Sequence, residues 1–404
     1  MYENIKKQLD ELNGDLSHYK NRNDICTPMD CVEEMVNVIP ESFWQTKDLK
    51  ILDCCCGNGN FHAYIQSKTH IDNLYFNEIN EDRIKNLIKI FGDKINLTKK
   101  DFMIFSQDEK YDMVVANPPY AYYTPDGKRA AKNHNLSRLF IEKALKITKD
   151  NGYILFIAPN NWMSYSDRNI LPQTLSKYQF LHINIGGAKK YFKNVGSSFT
   201  WFLLKKSPNK QECTIENFYK IKDKVKVKIE ENSPFIPLYY NDITQKIIKK
   251  IVLDESPKYK IETTSDLHRT TKSFMLSPNK DDLFKYKIWH TPTQQIWSKV
   301  EHKYQKGYKV FISLTNQYKS FVDDGGMTQS IAFILCADES DAIKIKNELD
   351  NPIYKFVAAI TRYGNFNNIR VLQNLTTLEN VKMTKEVLDF VSKFNDAYYG
   401  KKKT

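Results

Sequence analysis

Short apolar runs and amphipathic segments alternate along the first two hundred residues of the chain. The runs have the length of buried strands, and the segments between several of them space apolar residues three and four apart, as helices with one buried face do. We predict strands over residues 49–53, 74–77, 95–98, 113–116, 153–158, 180–185 and 199–204. We predict helices over 61–67, 80–91 and 136–147. This alternation indicates a mostly parallel, doubly wound α/β sheet.

Polar side chains stand at the ends of four of these predicted strands, namely Asp53, Glu78, Asp101 and Asn117. In a doubly wound sheet, ligands bind at the carboxyl ends of the strands. Independent turns would not be expected to line up in this way. The pattern therefore predicts a ligand site at this edge of the sheet.

The run Asn117-Pro118-Pro119-Tyr120 follows the strand at 113–116 directly. Two prolines hold the backbone extended and have no N–H to donate. The Asn117 side-chain oxygen and the Pro118 carbonyl can then accept both hydrogens of a planar amino group, with the Tyr120 ring beside it. Asn-Pro also commonly starts a turn, so the run alone fits a polar turn equally well. The other strand-end residues favour the amino-group cradle.

Residues 53–59 (DCCCGNG) combine the strand-end acid Asp53 with two glycines, Gly57 and Gly59. The third glycine of a phosphate-cradling G-x-G-x-x-G is absent. An acid in place of a phosphate-binding arrangement suits a positively charged nucleoside without phosphates.

Two further strand ends fit the same ligand. Glu78 ends the second strand, where such sheets bind ribose hydroxyls. Asp101 can accept a hydrogen bond from an adenine amino group, and we expect Phe102 to lie against the ring.

The N-terminal segment shows helical patterning without evident chemistry. Residues 1–22 predict a polar amphipathic helix. Thr27 and Pro28 can open a second helix, with Thr27 as its cap and Pro28 in its first turn. This stretch alone favours a capped core helix.

Composition narrows the class of protein. A chain of 404 residues can form two domains, and its hydrophobic fraction is 41%. We find no apolar run long enough to span a bilayer and no signal-peptide core, so we expect a soluble, cytoplasmic protein. The seven cysteines, three of them adjacent, make a poor disulfide framework and indicate a reducing compartment. We expect no metal site, because three consecutive residues cannot all face one ion.

The net charge of +12 lies mostly in the second half of the chain. Residues 209–404 hold 32 Lys and Arg against 24 Asp and Glu, and residues 1–208 hold 28 against 24. Basic charge mixed with aromatics favours a polyanionic partner, nucleic acid first, although Lys-rich genomes also give basic surfaces. Residues 207–210 look like a linker, which predicts three parts: a helix over 1–22, a catalytic domain over 23–207 and an α+β module over 208–404.

In their order and spacing these motifs resemble those of the gamma-class DNA adenine-N6 methyltransferases, the N-P-P-Y methylases of type II restriction–modification systems. Residues 53–59 resemble the first motif (D-P-A-C-G-x-G), except that two cysteines replace Pro-Ala, and Glu78 and Asp101-Phe102 resemble the second and third. Residues 117–120 match the catalytic motif, and residues 23–36 resemble a Thr-Pro motif that packs over the cofactor. The likeness covers about residues 23–206.

The resemblance implies a Rossmann-like sheet that binds S-adenosylmethionine, followed by a C-terminal target-recognition domain that binds double-stranded DNA. It implies cofactor contacts from Thr27, Pro28, Asp53, Gly57, Gly59, Glu78, Asp101 and Phe102. It implies catalysis by Asn117, Pro118, Pro119 and Tyr120, through base flipping and direct in-line transfer to adenine N6. Residues 190–193 resemble a segment whose aromatic residue stacks on the flipped base, a role that falls to Phe192, although a core position is nearly as compatible with the sequence.

DNA contacts are expected from two regions. The loop over 124–135 follows the catalytic run and contains Lys128 and Arg129; it could clamp phosphates or be a solvated basic loop. In the C-terminal module we expect contacts from Arg269, Lys272 and Arg362, with Lys319 and Arg370 as further candidates. The resemblance also implies a monomer that shares its site with a cognate restriction endonuclease.

Other functions remain compatible with the same cradle. It also serves enzymes that methylate exocyclic amines in RNA or the glutamine amide of proteins, but the large basic C-terminal module favours DNA. A non-catalytic DNA-binding protein on a decayed methyltransferase sheet would lack cofactor binding. A fused restriction nuclease would need an acidic metal-binding arrangement that we do not find in the sequence.

Overall fold

A computed structural model of the chain describes residues 2–14, 26–106, 108–120, 136–192, 196–315 and 317–400. The helices are α1 (Tyr2–Gly14), α2 (Met29–Val36), α3 (Glu41–Trp44), α4 (Asn60–Ile65), α5 (Glu81–Phe91), α6 (Leu136–Ile147), α7 (Leu171–Leu175), α8 (Asp242–Ile251), α9 (Glu339–Leu349), α10 (Pro352–Ile360), α11 (Ile369–Leu372) and α12 (Lys385–Tyr399). None of these described helices is long and apolar enough to cross a membrane.

The strands form three sheets. They are β1 (Ile51–Asp53), β2 (Leu74–Asn77), β3 (Asn96–Thr98), β4 (Tyr111–Ala116), β5 (Thr148–Pro159), β6 (Tyr178–Ile185), β7 (Phe199–Pro208), β8 (Cys213–Asn217), β9 (Asp223–Val227), β10 (Glu262–Thr263), β11 (Leu276–Ser277), β12 (Tyr286–Thr291), β13 (Gln294–Ser298), β14 (Lys309–Ser313), β15 (Ser320–Asp323), β16 (Gly326–Met327) and β17 (Ile331–Leu335).

The largest sheet has nine strands in the order β3-β2-β1-β4-β5-β7-β6-β8-β9. Strands β1 to β5 pair in parallel, and β7 runs antiparallel to both β5 and β6. The predicted doubly wound α/β sheet is therefore confirmed. Chain order turns back between β1 and β4, which are hydrogen-bonded neighbours, and this switch point is where such sheets leave a crevice at the strand ends.

Apolar residues of the sheet and of α2 form one core on one face of this sheet. Met113 and Val115 of β4 and Leu155 of β5 are fully buried there against Val32 and Met35 of α2. These positions alternate along each strand, so one face of β4 is fixed against α2 and its carboxyl end is held in place.

Helix α2 begins one residue later than predicted. Pro28 occupies the N-cap position, and its carbonyl accepts hydrogen bonds from the N–H groups of Cys31 and Val32 at 2.9 and 3.1 Å. Thr27 is therefore not the cap, because the residue before a proline is held in an extended conformation outside the helix. Its side chain is instead almost fully buried.

The sheet continues past the predicted linker. Residues 207 and 208 end β7, and β8 and β9 add two further strands beside β6. The linker interpretation of residues 207–210 is thus wrong: they connect two strands of one sheet. The structure divides into a first compact unit of residues 1–163 and 168–235 and a second of residues 164–167 and 236–404. The predicted N-terminal helix over 1–22 is seen as α1 to Gly14, and its remaining residues lie outside the described part of the chain.

The second unit contains two four-stranded sheets, ordered β10-β17-β14-β15 and β11-β13-β12-β16. Phe311, Ile331 and Phe333 form a fully buried core on the first of them. Helices α8 to α12 complete the unit, so its predicted α+β class is observed.

Candidate active site

A cleft opens where β1 and β4 end. Its lining residues come from the loop before α2, the turn between β1 and α4, the first turn of α5 and the end of β4. They are Cys26, Thr27, Asp53, Cys55, Cys56, Gly57, Asn58, Asn60, Phe61, Arg83 and Asn117. The structure thus brings together Thr27, Asp53, Gly57 and Asn117, four residues that the sequence assigns to three different motifs.

Asp53 is the buried acid of this cleft. Its side chain is 1% exposed, and Oδ1 accepts a hydrogen bond from the Cys55 N–H at 3.3 Å. Oδ2 has no hydrogen-bond partner among the described residues. Burial raises the pKa of the Asp53 carboxyl well above its usual range, with a smaller contribution from the nearby Glu78 charge. A cationic ligand in the cleft would pair with this acid, so the residues present fit S-adenosylmethionine.

Glu78 is used differently, because its carboxylate holds the backbone of two loops. Oε2 accepts a hydrogen bond from the Gly57 N–H at 2.8 Å, and Oε1 accepts from the N–H groups of Ile79 and Asn80, each at 2.8 Å. Burial raises the pKa of Glu78, and these backbone donors and Arg83 oppose that shift. Glu78 therefore fixes the shape of the glycine turn, and it is not among the residues that line the cleft.

Glycine is needed at positions 57 and 59 for different local reasons. Both have left-handed backbone, with φ of +57° at Gly57 and +91° at Gly59. A Cβ on Gly59 would lie 2.5 Å from Phe91 Cε2 and 2.9 Å from Leu87 Cδ2, whereas a Cβ on Gly57 would meet no atom within 4 Å. Gly59 therefore permits close packing of the turn on α5, and Gly57 keeps the backbone open beside the cleft.

The other predicted cofactor residues lie outside the lining of the cleft. Asp101 is exposed at the end of β3, where its side chain accepts a hydrogen bond from the Met103 N–H at 2.8 Å. Phe102 is 2% exposed and packs on Phe140, with ring centroids 5.1 Å apart. Pro28 caps α2 and is half-buried. The structure gives Phe102 a core position, and the expectation that it lies against an adenine ring has no geometric support in this conformation.

Helix α1 contributes to the cleft in a way that the sequence did not suggest. Asn58, which lines the cleft, donates a hydrogen bond to Asn13 Oδ1 of α1 at 3.0 Å and accepts one from Asn86 Nδ2 of α5 at 3.1 Å. Lys6 of α1 pairs with Asp30 and Glu33 of α2 at 2.8 and 2.7 Å. The helix is therefore attached to both the Thr-Pro segment and the glycine turn.

Asn60 and Arg83 are among the other lining residues that the sequence prediction missed. Asn60 Nδ2 donates to the Thr27 carbonyl at 2.9 Å and lies 2.9 Å from Cys26 Sγ, so it ties the start of α4 to the segment before α2. Arg83 lines the cleft from the first turn of α5. The only signal for them in the sequence is their position next to the glycine motif and one turn beyond Glu78.

The run Asn117–Tyr120 leaves the carboxyl end of β4, as predicted. Pro118 is buried, and the Tyr120 hydroxyl donates a hydrogen bond to Asn117 Oδ1 at 2.5 Å. Burial raises the pKa of Tyr120, which keeps its hydroxyl protonated and able to donate. The bond orients the Asn117 amide with Oδ1 toward Tyr120.

Phe192 is a core residue in this conformation. Its side chain is 3% exposed, and its ring packs on Phe199 with centroids 4.7 Å apart. Tyr120 also packs on Phe199, and the centroids of these two rings are 5.6 Å apart. The two aromatics expected around a base are thus joined through Phe199, and neither ring face of Phe192 is open to a ligand.

The predicted DNA contacts differ in their surroundings. Arg269 is exposed. Lys272 donates to the Asp266 carbonyl at 2.6 Å, and Arg362 donates to the carbonyls of Thr315 and Asn365 at 2.9 and 2.7 Å. Arg370 forms an ion pair with Asp167 at 2.9 Å. Lys319 is exposed, and Lys128 and Arg129 lie outside the described residues.

Residues 28–192 match the family model of the Eco57I restriction-modification methylase. The match contains the glycine motif, the strand-end acids and the Asn117–Tyr120 run. The resemblance to the restriction–modification methylases is therefore confirmed over these residues, and S-adenosylmethionine is the cofactor of such methylases.

Individual relatives match over part of their length. Type II methyltransferase M.VspI of Vibrio sp. is 24% identical over 237 residues, which cover 54% of this chain and 56% of that protein. The tRNA1(Val) (adenine(37)-N6)-methyltransferase of Bacteroides thetaiotaomicron is 34% identical over 76 residues, which cover 17% of this chain and 32% of that one. The match thus spans little more than half the length of M.VspI and about a third of the length of the tRNA methyltransferase.

Among solved structures, the DNA-bound Type ISP restriction-modification enzyme LlaBIII superposes with a TM-score of 0.56 at 12% identity. The superposition covers 97% of this chain and 41% of that one. At this identity the likeness is one of fold.

Proposed function

Starting from a methylase domain of the restriction–modification family, we propose that the chain transfers a methyl group from S-adenosylmethionine to the N6 amino group of adenine in duplex DNA. The observation that carries this proposal is the position of Asn117. It directly follows β4 and lines the same cleft as Asp53, so an amino group held by Asn117 would lie beside a cationic cofactor held near Asp53.

The chemistry follows from the groups at the end of β4. An adenine amino nitrogen is a poor nucleophile, because its lone pair is delocalised into the ring. Hydrogen bonds to Asn117 Oδ1 and to the Pro118 carbonyl would localise that lone pair on nitrogen, and the hydrogen bond from the Tyr120 hydroxyl would help to hold the Asn117 amide in one orientation.

S-adenosylmethionine supplies the activated methyl group on a sulfonium. Asn117 Oδ1 and the Pro118 carbonyl would hold the amino nitrogen toward that methyl group, and the proton that the nitrogen loses would pass to water. Catalysis by this chain therefore rests on positioning and electrostatics and needs no tuned general base.

The target adenine must leave the duplex to reach Asn117, so the proposal includes base flipping. Tyr120 is partly buried beside the acceptor and is placed to contact the extruded ring. For Phe192 the stacking role requires its ring to leave Phe199, and we propose it only for a DNA-bound conformation. We further propose that the second unit recognises DNA, that the protein acts as a monomer, and that a cognate endonuclease reads the same site.

RNA is the second candidate substrate, and one comparison favours it. The tRNA adenine-N6 methyltransferase relative shares a short segment with this chain. The large basic second half supports DNA over RNA or a protein glutamine, because those uses of the cradle do not need a duplex-binding module.

The test is a labelling experiment with three substrates. Purified protein receives methyl-labelled S-adenosylmethionine with unmethylated genomic duplex DNA, total RNA or a release-factor preparation, and products are digested to nucleosides or amino acids. We expect label only in the DNA sample, in N6-methyl-2′-deoxyadenosine. Label only in RNA or protein would refute the DNA substrate and leave the cofactor site standing.

A matched pair of variants identifies the catalytic residue. Asn117→Ala should abolish labelling and keep cofactor binding. Asn73→Ala removes an amide from the opposite end of the sheet, just before β2, and should keep both. Equal activity of the two variants would contradict the role of Asn117.

A further inference from the structure

The chain between β6 and β7 forms a compact turn over residues 187–192, which begins as a short 3₁₀ helix. Near the end of this 187–192 turn, the N–H groups of Tyr191 and Phe192 donate to backbone carbonyls three residues earlier, at 2.9 and 3.2 Å. The Phe192 ring then packs on Phe199 at the start of β7. The position of Phe192 therefore depends on what holds this turn in place.

Glu34 of α2 connects the 187–192 turn to two other elements of the first unit. Its Oε2 accepts hydrogen bonds from Lys190 Nζ at 2.6 Å and from the Tyr191 hydroxyl at 2.8 Å. Its Oε1 accepts from Nδ2 of Asn184 in β6, a fully buried side chain, at 3.1 Å. Hydrogen bonds to a carboxylate are stronger than those between neutral groups. One side chain thus joins α2, β6 and the turn.

The two donors of the turn are suited to this contact. Burial, and to a smaller extent the hydrogen bond to Glu34, raise the pKa of Tyr191 to about 12, so its hydroxyl stays protonated and donates. The Lys190 ammonium lies 4.6 Å from the centroid of the Tyr191 ring, which restrains the lysine on the same side of the turn. Removal of the carboxylate would leave both donors without their common acceptor.

The 187–192 turn reaches the catalytic run through a row of aromatic rings. Phe192 and Tyr120 both pack on Phe199, with centroid separations of 4.7 and 5.6 Å. The Tyr120 hydroxyl in turn donates to Asn117 Oδ1. Rings in contact inside a close-packed core do not shift independently. A displaced turn would therefore change the support of the Tyr120 ring and the orientation of the Asn117 amide.

We propose that Glu34 is a positioning residue for the methyl-accepting adenine: it anchors the 187–192 turn, and the anchored turn supports Tyr120. The inference rests on the proposed function and adds a residue that lies outside the catalytic run and the glycine motif. Glu34 does not line the cleft that would hold the cofactor. Its loss should therefore change turnover and leave cofactor affinity unchanged.

Hydrogen exchange of the free protein tests the anchor without any substrate. In Glu34→Ala, the amides of Tyr191 and Phe192 should exchange at least about 10-fold faster than in the wild type, measured by mass spectrometry of a peptide that covers the turn. Glu34→Gln retains one oxygen that can accept from Lys190 and Tyr191, so exchange should rise by less than about 3-fold. Unchanged exchange in Glu34→Ala would overturn the anchor.

Turnover tests the positioning role. At saturating DNA and S-adenosylmethionine, Glu34→Ala should lower kcat about 10-fold and change the cofactor Kd by less than about 2-fold. Glu34→Gln should recover kcat to within about 3-fold of the wild type. Tyr191→Phe should lower kcat about 3-fold, and the double variant Glu34→Ala/Tyr191→Phe should be no slower than Glu34→Ala, because the two groups act through one contact. Multiplied losses in the double variant would refute that contact as the route.

Asp112 offers a matched control on β4 itself. Its side chain is 21% exposed against 24% for Glu34, and its carboxylate accepts from Lys149 Nζ at 2.8 and 2.9 Å and from the Lys50 N–H at 2.8 Å. It lies at the amino end of β4, away from Asn117. Asp112→Ala should lower the urea midpoint as Glu34→Ala does and keep kcat within about 2-fold. Equal losses of kcat in the two variants would overturn the positioning role.

The wild type separates this inference from the proposed function. A wild type that methylates no adenine in DNA or RNA would overturn both, before any variant is compared. A wild type that methylates DNA, with kcat unchanged in Glu34→Ala, would overturn the positioning role alone. A wild type that methylates adenine only in RNA would overturn the DNA substrate, and the same comparison of variants on that RNA would then decide the role of Glu34.

Discussion

Replacement of Gly59 by alanine should destabilise the sheet unit far more than the same change at Gly57. Both positions have positive φ, which an L residue adopts at roughly 1–2 kcal/mol. At Gly59 the new Cβ would also lie 2.5 Å from Phe91 Cε2 and 2.9 Å from the fully buried Leu87, and such overpacking costs about 1–3 kcal/mol. Gly59→Ala should therefore lose roughly 2–5 kcal/mol and Gly57→Ala roughly 1–2 kcal/mol.

Urea denaturation measures these losses, and the transition that S-adenosylmethionine shifts to higher urea reports the sheet unit. The contact with Phe91 supplies an internal check. Phe91→Leu shortens the ring, so the double variant Gly59→Ala/Phe91→Leu should recover about 1 kcal/mol relative to the sum of the single changes. Equal losses at the two glycines, or no coupling to Phe91, would refute the close-approach argument.

Three other changes test the cleft. Because burial raises the folded-state pKa of Asp53, wild-type stability should fall as the pH rises above the ordinary carboxyl range. Asp53→Asn should therefore raise the Tm measured without cofactor at pH 8, by an amount that shrinks toward pH 4. The same variant should weaken cofactor binding at least about 10-fold, as measured by calorimetry. Tyr120→Phe removes the donor to Asn117 and should lower kcat by about 3- to 10-fold with unchanged cofactor affinity. Asn13→Ala should raise the cofactor Kd about 5-fold by releasing Asn58, and an unchanged Kd would contradict a role for α1.

The sheet and its binding edge could be predicted because their signals are local. The strand β2 and the helix α6 have the predicted bounds, since an apolar run or a helical period records burial of its own residues. The carboxyl ends of β1 and β4 are adjacent because the sheet is parallel, so Asp53 and Asn117 could be placed in one site before any coordinates.

The aromatic residues of the motifs could not be placed in the same way. Phe102 and Phe192 each follow polar residues at strand ends or turns, which fits a ligand contact and a core position equally. The structure buries both: Phe102 packs on Phe140 of α6, and Phe192 packs on Phe199 at the start of β7. An aromatic side chain gains most from burial wherever space exists, and the sequence does not record that space.

The extent of the sheet was missed for a different reason. β9 alternates lysine and valine, and its exposed positions carry the charges, as expected for an edge strand that avoids pairing with another chain. Pro208 ends β7 and leads into a turn, so the sequence there resembles a linker. Long-range pairing of β8 with β6 decides otherwise.

The two strand-end acids show how one residue type can serve one site in two ways. The Glu78 carboxylate accepts hydrogen bonds from three backbone N–H groups, one of them that of Gly57 in the glycine turn. Most of its acceptor positions are therefore occupied by the protein backbone. Asp53 accepts one, and its second oxygen has no partner among the described residues although it is fully buried. A buried carboxylate without a partner for its second oxygen destabilises the fold unless a cation binds beside it. Asp53 is therefore the residue that would pair with the positive charge of the cofactor. Glu78 holds the glycine turn in shape before the cofactor binds, and Asp53 would attract the cationic cofactor into the cleft.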